Sequence, residues 1–239
     1  MVDKYTKGLV SVIIPTYNRF EGVQTAINSV LNQTHKNTEV IVIDDCSEDK
    51  RYEQLDTIYS ENKNVKILHL PINMRKLLNL TAAQGATRAE GIKIARGEYI
   101  AFLDDDDFFI SPLKLETQIN ALVEFPNIKI CFTNMYAGYG VYHSEIKMEP
   151  YHKNKIGFQL ASNLFLLRLE DIMNVNYVNN STVILDRETY DKTEGLRAET
   201  NEDYELWKRV MKHTDCLYIS DCMIYYDLAH CNGKNYVYV

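Results

Sequence analysis

The chain has 239 residues, of which 46% are hydrophobic, and this length allows it to bury a sizeable core. Its formal net charge of −7 argues against a nucleic-acid-binding surface, because such a surface needs a basic patch. The scattered cysteines (Cys46, Cys131, Cys216, Cys222 and Cys231) include no Cys-x-x-Cys pair, so they indicate reduced thiols and exclude a disulfide framework or a cysteine zinc site.

Strand and helix patterns alternate through the first half of the chain. The predicted strands are short, mostly apolar runs at 9–15, 39–45, 64–70, 98–104 and 128–133. The predicted helices between them lie around 23–31, 52–59, 80–96 and 112–123. Ser111 as an N-cap and Pro112 at the first helical position predict where the last of these helices begins. This alternation predicts an α/β fold with a mostly parallel central sheet and helices on both faces.

The second half of the chain is less regular. Residues 136–180 are rich in Tyr, Asn and Lys and show no clear period. Farther on, 181–186 and 216–228 are typical of strands, and 201–213 is typical of an amphipathic helix. No repeat or Gly/Ser linker separates the two halves, so we expect one continuous domain.

Polar residues follow three of the predicted strands at the point where each strand ends. The first strand ends in the sequence PTYN (15–18), the second in Asp44-Asp45, and the fourth in an aspartate run (104–107). The carboxyl ends of parallel strands meet at one edge of a sheet, and ligands bind there. We therefore expect the three clusters to form one site.

The aspartate run lies between an apolar strand and the aromatic pair Phe108-Phe109. Neighbouring carboxylates repel one another and lose solvation beside apolar surface, so a bound cation is expected to stabilise them. Oxygen-only ligands suit Mg²⁺ or Mn²⁺. Phe108 excludes both a calcium loop and an aspartyl-phosphatase motif. The alternative to a metal site is a solvated acidic turn.

Four segments of the chain resemble family-2 glycosyltransferases of the GT-A fold. They are VSVIIPTYNR (10–19), EVIVIDDCSED (39–49), GATRAEGIKIARGEYIAFLDDDDFF (85–109) and NEDYELWKRV (201–210). The resemblance covers nearly all of residues 9–125 and resumes at about 181. It implies a nucleotide-sugar transferase in which Mn²⁺ or Mg²⁺ bridges the two phosphates of the donor.

The resemblance also implies how the chain is divided. A single GT-A domain would span 1–239, with a nucleotide-sugar-binding half at 1–135 and an acceptor-binding half at 136–239. The residues it implies for nucleotide-sugar binding are Pro15, Thr16, Tyr17, Asp45, Arg88, Asp104 and Asp105. Within this set, Tyr17 would lie against the base, Asp45 would accept from the base, and Asp104 would contact the ribose. A uracil base suits these residue types, because an aromatic face stacks on a pyrimidine and a carboxylate accepts from its imide N–H.

The same resemblance implies that Asp106 is the direct metal ligand of an Asp-x-Asp motif. Asp105-x-Asp107 is an alternative register of that motif. His230, after the last predicted strand, is either a further ligand of the metal or diphosphate or an ordinary surface residue. The loop at 73–85 lacks a Gly that the family usually has, and Arg75 could therefore replace Arg88.

Asp203 is the candidate catalytic base. Asn201 is expected to cap the helix, which puts Glu202 and Asp203 in the first turn, where the helix dipole favours acidic residues. Helical spacing places Asp203 on the apolar stripe and Glu202 on the more solvated side. The resemblance puts the general base of the family at Asp203. The alternative is that both carboxylates only stabilise the helix end.

These features predict a metal-dependent inverting glycosyltransferase that moves one sugar from a UDP-sugar donor to a hydroxyl of a glycan acceptor. The family implies an acceptor that can be lipid-linked, in bacterial surface polysaccharide biosynthesis. No apolar run has the length of a signal peptide or a membrane span, so we expect a cytoplasmic protein with at most peripheral membrane contact and no nucleic-acid partner. The alternatives are a nucleotidyltransferase and an inactive nucleotide- or glycan-binding module.

Overall fold

The computed structural model describes residues 4–80, 83–139, 148–154, 156–197 and 201–230. The strands are β1 (Thr6–Thr16), β2 (Thr38–Asp44), β3 (Val65–His69), β4 (Gly97–Phe102), β5 (Phe108–Phe109), β6 (Ile130–Gly138), β7 (Phe158–Gln159), β8 (Leu164–Leu167), β9 (Val183–Asp186) and β10 (Cys216–Asp227). The α-helices are α1 (Phe20–Leu31), α2 (Leu55–Ile58), α3 (Met74–Leu78), α4 (Gln84–Ile94), α5 (Lys114–Glu124), α6 (Leu169–Ile172), α7 (Arg187–Asp191) and α8 (Glu202–Val210). Two 3₁₀ helices span Lys50–Gln54 and Asn180–Thr182.

The described strands form one sheet with the order β3-β2-β1-β4-β9-β6-β10-β8-β7, and β5 pairs with β10. β1 is parallel to both β2 and β4, and β2 is parallel to β3. β9 runs antiparallel between β4 and β6, and β10 is parallel to β6. β1, β2, β3, β4, β6 and β10 therefore run in one direction. The prediction of an α/β fold with a mostly parallel sheet is confirmed.

Helices cover both faces of this sheet, as the alternating pattern predicted. Apolar residues of α1, α2 and α5 pack with one face, and those of α4, α7 and α8 pack with the other. Every residue of β2 is buried, which agrees with the apolar run VIVI at its centre. In α8, Trp207 is fully buried, and its indole nitrogen donates to the carbonyl oxygen of Val178 at 3.0 Å. The ring centroid of Trp207 lies 6.0 Å from that of Phe102, the last residue of β4, so α8 packs beside the carboxyl end of this strand.

Several predicted helix boundaries are wrong. α5 begins at Lys114, whereas Ser111-Pro112 forms the turn before it, in which the Ser111 hydroxyl accepts from the backbone N–H of Leu113 at 3.3 Å. The helix predicted at 80–96 is the shorter α4, preceded by a separate α3. The residues at 52–59 form the end of a 3₁₀ helix followed by the short α2. For α5 the reason is that the carbonyl oxygens of Ser111 and Pro112 accept from Gln33 and Thr34, which holds these two residues outside the helix.

The region without a clear sequence period contains regular structure. β6 continues to Gly138, and β7 and β8 form a hairpin that extends the sheet beyond β10. These strands have two and four residues, too few to show an alternating pattern. The second half of the chain thus adds strands to the sheet that the first half begins.

Two negative expectations concern cysteines and membrane spans. Cys46, Cys131, Cys216 and Cys222 have free thiols, and Cys231 lies outside the described residues. Within the described ranges, no helix has both the length and the apolar character that crossing a membrane requires.

Candidate active site

The carboxyl ends of β1, β2 and β4 meet at one wall of a cleft of about 580 Å³, because these strands are parallel neighbours. The opposite wall is built by α8 and by the segments around Asn180 and His230. Every site residue predicted from the sequence lines this cleft: Pro15, Thr16, Tyr17, Asp45, Arg88, Asp104, Asp105, Asp106, Asp203 and His230. The convergence expected from strand topology is therefore observed.

Two aspartates of the run at 104–107 hold the turn that contains them. Asp105 accepts from the Thr16 hydroxyl and from Arg19 Nη1, both at 2.7 Å. Asp107 accepts from the backbone N–H of Asp227 at 3.0 Å and from the Ser181 hydroxyl. Asp107 is buried and does not line the cleft. Alternate residues of the run, 105 and 107, thus fix the turn to β1 and to β10.

Asp104 and Asp106 are the other members of the run, and both line the cleft. Single carboxylate oxygens of Asp104, Asp106 and Asp107 lie within 4.8 Å of one another. Burial and the neighbouring Asp105 carboxylate raise the pKa of Asp106 to about 6, since both disfavour its charged form. His230 Nδ1 lies 3.1 Å from Asp106 Oδ2. A close set of carboxylate oxygens fits the ligand preference of Mg²⁺ or Mn²⁺, and Arg19, 3.0 Å from Asp106 Oδ2, offsets part of its negative charge.

Arg88 extends from α4 and joins the aspartate turn to α8. Its side chain is buried; one terminal nitrogen donates to Asp104 and the other to Glu202 Oε1 at 2.6 Å. With its amide oxygen turned towards the guanidinium, Asn180 also accepts from Arg88, at 3.2 Å. The buried Nε of Arg88 has no hydrogen-bond partner among the residues that the structure describes. Arg88 therefore binds carboxylates of the chain itself, and we call the group Arg88, Asp104 and Glu202 the arginine clamp.

The first turn of α8 differs from the prediction in two ways. Asn201 occupies the N-cap position, but its backbone is left-handed, with φ of 56°, and its side chain caps nothing. Glu202 is not on the solvated side: its side chain is 13% exposed because it points to Arg88. Gly85 makes this possible, since a Cβ there would lie 2.5 Å from Glu202 Cγ. A helical wheel could not show this contact, because Arg88 is 114 residues away.

Asp203 is half-buried in the cleft wall, beside the clamp. Its Oδ1 accepts from the backbone N–H of Tyr204 at 2.7 Å. Burial raises the pKa of Asp203, and the nearby Glu202 carboxylate raises it further, against the opposite effects of this hydrogen bond and of Arg88. A carboxylate with a raised pKa is a better proton acceptor, which is the property that a general base needs.

Asp45 forms the third polar cluster, at the end of β2. Its two oxygens accept from the backbone N–H of Met74 at 2.7 Å and from the Asn73 amide at 3.1 Å. Burial raises the pKa of Asp45. Tyr17, on the neighbouring strand end, is half-buried and lines the same part of the cleft. An aromatic ring and a fixed carboxylate thus face one pocket.

Sequence reasoning missed several cleft residues, among them Arg19, Asn73, Asn180 and Tyr226. Arg19 follows the polar end of β1 directly, and the need of the aspartate run for a nearby cation could have identified it. Asn73 caps α3, a helix that the apolar period did not reveal. Asn180 and Tyr226 belong to no recognisable motif, so only the fold brings them to the cleft.

Comparison with known sequences gives one family. The family described as "Glycosyl transferase family 2" matches residues 11–188. An uncharacterized glycosyltransferase of Haemophilus influenzae is 39% identical over 116 residues, which are 48% of this chain and 43% of that protein. The Escherichia coli protein named UDP-Glc:alpha-D-GlcNAc-diphosphoundecaprenol beta-1,3-glucosyltransferase WfgD is 32% identical over 206 residues, which are 85% of this chain and 70% of that protein. The chain thus spans less than half of the H. influenzae relative.

Solved structures share the fold. Staphylococcus aureus TarS, residues 1–349 in complex with UDP-GlcNAc, superposes with a TM-score of 0.68 and 23% identity, over 92% of this chain and 58% of that one. The mannosyltransferase PcManGT of Pyrobaculum calidifontis, in complex with GDP-Man and Mn²⁺, gives a TM-score of 0.64 and 12% identity, over 92% of this chain and 56% of that one. At these identities the structures establish the architecture alone.

Proposed function

The chain belongs to glycosyltransferase family 2 and has the GT-A fold, and from that premise we propose that it moves one sugar from a UDP-sugar to a hydroxyl of a glycan acceptor. The observation that carries the proposal is the meeting of Asp104, Asp106 and Asp203 in one cleft. The choice of UDP is supported by two of the matched proteins, since WfgD is named for UDP-Glc and TarS was solved with UDP-GlcNAc.

The donor is assigned to residues of the 1–135 half. Tyr17 would stack on the uracil ring, with Pro15 and Thr16 behind it, and Asp45 would accept from the imide N–H. Asp45 suits this role because it lines the cleft and because Met74 and Asn73 fix both of its oxygens. Asp104 would accept a hydrogen bond from a ribose hydroxyl. Arg88 would hold the Asp104 carboxylate in place.

Asp106, with His230 beside it, would hold the divalent metal. We favour this register because Asp104 and Asp106 both line the cleft, whereas Asp107 of the alternative pair does not. A bound Mn²⁺ or Mg²⁺ would supply positive charge that stabilises the departing UDP. Asp105 would support the same end of the donor by holding Arg19 against the turn.

Asp203 would act as the general base. It would take the proton from the acceptor hydroxyl while the hydroxyl oxygen bonds to the anomeric carbon of the donor sugar. The bond from that carbon to the UDP oxygen breaks on the opposite face, and its electron pair leaves with UDP. A single displacement inverts the anomeric configuration, so an α-linked donor would give a β-linked product.

The acceptor is assigned to the 136–239 half, which provides the cleft wall opposite the donor residues. The name of WfgD describes a lipid-diphosphate-linked sugar as its acceptor, and we infer an acceptor of this class here. The reaction would then belong to bacterial surface polysaccharide synthesis at the cytoplasmic face of the membrane, with at most peripheral contact between protein and bilayer.

The test is a reaction of the purified chain with UDP-sugars, Mn²⁺ and a synthetic lipid-diphosphate-linked N-acetylglucosamine. The proposal predicts release of UDP, and NMR of the product should show an anomeric configuration opposite to that of the donor. Release of pyrophosphate would instead identify a nucleotidyltransferase. Retention of configuration would exclude the single displacement, and binding of UDP-sugar without turnover would indicate an inactive module.

A further inference from the structure

Tyr226, near the end of β10, joins the cleft to the carboxyl end of the neighbouring strand β6. Tyr226 lines the cleft, and its ring centroid lies 6.2 Å from that of His230, the residue beside Asp106. In the parallel pairing of β10 with β6, Tyr226 lies opposite Ala137. The carboxyl end of β6 is therefore the next surface that a ligand would meet on leaving the cleft.

A second segment runs along the other side of β6 at this point. Tyr136 pairs with Pro150 in an antiparallel bridge, and the backbone N–H of Tyr151 donates to the carbonyl oxygen of Met135 at 2.9 Å. The residues around Pro150 thus extend the sheet at the rim of the cleft.

The register of this extension decides which side chains share a face. Successive strand residues alternate between faces, so Met135 and Ala137 lie on one side, and Tyr226 lies on that side because it pairs with Ala137. The antiparallel register puts Tyr151 opposite Met135 and Glu149 opposite Ala137. Tyr226, Ala137, Glu149 and Tyr151 therefore line one face, which we call the tyrosine strip.

The composition of the tyrosine strip is that of a sugar-binding surface. The strands of Tyr226 and Tyr151 are separated by β6 and lie about 10 Å apart. On β6, the small Ala137 lies at the level of Tyr226, and the buried Met135 lies at the level of Tyr151. Tyr151 is 52% exposed, and Glu149 is also exposed. Two tyrosine rings and a carboxylate thus flank Ala137 and Met135.

We propose that the tyrosine strip binds a hexopyranose ring of the glycan acceptor. The apolar C–H face of the sugar would lie against the tyrosine rings, and its hydroxyl groups would donate to the Glu149 carboxylate. A ring seated there would hold an acceptor hydroxyl at the mouth of the cleft. This inference rests on the proposed transfer to a glycan, and it names the residues that select the acceptor.

The experiment measures saccharide and nucleotide binding separately. Methyl α-N-acetylglucosaminide, methyl α-glucoside and methyl α-galactoside are titrated into the full chain by saturation-transfer NMR, and UDP with Mn²⁺ is titrated by thermal shift. The variants are Tyr151→Ala, Tyr151→Phe and Glu149→Gln. The matched control is Phe158→Ala, which removes an aromatic ring that is 72% exposed on β7, outside the strip.

The wild type and Phe158→Ala should bind at least one of these glycosides with equal affinity. Tyr151→Ala should weaken that binding about tenfold, Glu149→Gln should weaken it, and Tyr151→Phe, which keeps the ring, should retain most of it. All variants should bind UDP as the wild type does. Unchanged glycoside binding in Tyr151→Ala, or no glycoside binding by the wild type, would overturn the proposal. If Tyr151→Ala lost UDP binding together with glycoside binding, the proposal would also be overturned, because the tyrosine strip would then bind the donor.

Failure of this inference is distinguishable from failure of the proposed function. If the chain turns over UDP-sugar but Tyr151→Ala leaves glycoside binding unchanged, only the proposal that the tyrosine strip binds sugar would be contradicted. Glycoside binding that depends on Tyr151, in a chain that neither binds nor turns over UDP-sugar, would contradict the transferase function alone.

Discussion

Asp203 carries the proton transfer in the proposed reaction, and its surroundings predict what its loss should do. Asp203→Asn keeps the size and the hydrogen-bonding capacity of the side chain, so UDP binding should stay unchanged. The amide cannot accept the proton from the acceptor, and turnover should fall on the order of a hundredfold or more. The measurement is steady-state UDP release beside a UDP titration of the same variant.

Glu205→Gln is the matched control for Asp203→Asn. Glu205 lies on the same helix but pairs with Lys208 away from the cleft, so this variant should keep wild-type turnover. Near-normal turnover in Asp203→Asn would leave that residue with only a structural role at the helix end.

Sequence reasoning at the residue scale located side chains better than it described their partners. The aspartate run could be found because acidic residues beside apolar strands are unusual, and Asp203 could be found from the family resemblance and its place on the apolar stripe of α8. The partner of Glu202 could not be found, because Arg88 is distant in sequence and the contact depends on the packing of α4 against α8 at Gly85. Long-range ion pairs of this kind are decided by the fold and leave no local pattern.

The arginine clamp holds α8 against the end of β4 through ion pairs of Arg88 with Asp104 and Glu202. Breaking one of these ion pairs should therefore affect both stability and turnover. Glu202→Ala leaves the buried Arg88 guanidinium with one carboxylate partner fewer, and losing one partner of a buried ion pair costs about 3–5 kcal/mol of folding stability. Turnover should also fall, because the first turn of α8 carries Asp203. Urea unfolding and steady-state kinetics measure the two effects.

Glu205→Ala controls for loss of an acidic residue from α8. Its pair with Lys208 is partly exposed, so its removal should cost less than about 1 kcal/mol. Equal stability losses in Glu202→Ala and Glu205→Ala would show that the clamp contributes nothing specific.

α5 begins with a fully buried lysine. Lys114 donates to Gln118 Oε1 at 2.8 Å and lies 4.3 Å from the centre of the Phe109 ring. Burial lowers the pKa of Lys114 to about 7, because the charged form loses its solvation. Between pH 7 and pH 10 the unfolded chain therefore binds more protons at this group than the folded chain does. Folding stability should rise with pH across that window and be lowest below pH 7.

Lys114→Met should remove this dependence. The difference in unfolding free energy between wild type and variant should change by at most about 4 kcal/mol between pH 7 and pH 10, since each unit of pKa shift is worth about 1.4 kcal/mol. Denaturant titrations at several pH values give the comparison. Lys76→Met, which changes an exposed lysine on α3, should keep the wild-type slope. If the unfolding free energy of Lys114→Met rose with pH as steeply as that of the wild type, Lys114 would not be the group that titrates.

Element boundaries were less predictable than element types. Ser111 and Pro112 have the residue types of a helix start, yet α5 begins at Lys114, because the Ser111 and Pro112 carbonyl oxygens accept from the segment after α1. The two-residue and four-residue strands β7 and β8 were missed because pairing with β10 and with each other defines them, not an alternating sequence.

At the scale of the whole molecule, the parallel order of β1, β2 and β4 explains why sequence reasoning found the site. Each strand is an apolar run that ends in polar residues, and a parallel sheet brings such ends together whatever the loops do. The far wall could not be found in this way, since Asn180 and Tyr226 reach the cleft through an irregular half of the chain. On that wall the predictable parts were α8, from its apolar stripe, and His230, from its place after the last predicted strand.

The central claim is that this cleft binds a UDP-sugar with a divalent cation. Its most direct test is a thermal-shift panel of UDP-, GDP-, CMP- and dTDP-sugars, each with Mn²⁺ and with a chelator, on the wild type and on Asp106→Ala. A ligand at one hundred times its dissociation constant stabilises the folded chain by about 2.7 kcal/mol, so the true donor should stand out. We expect the UDP compounds to give the largest shift, and both the chelator and Asp106→Ala to abolish it. A metal-independent shift with another nucleotide would contradict this account of the site.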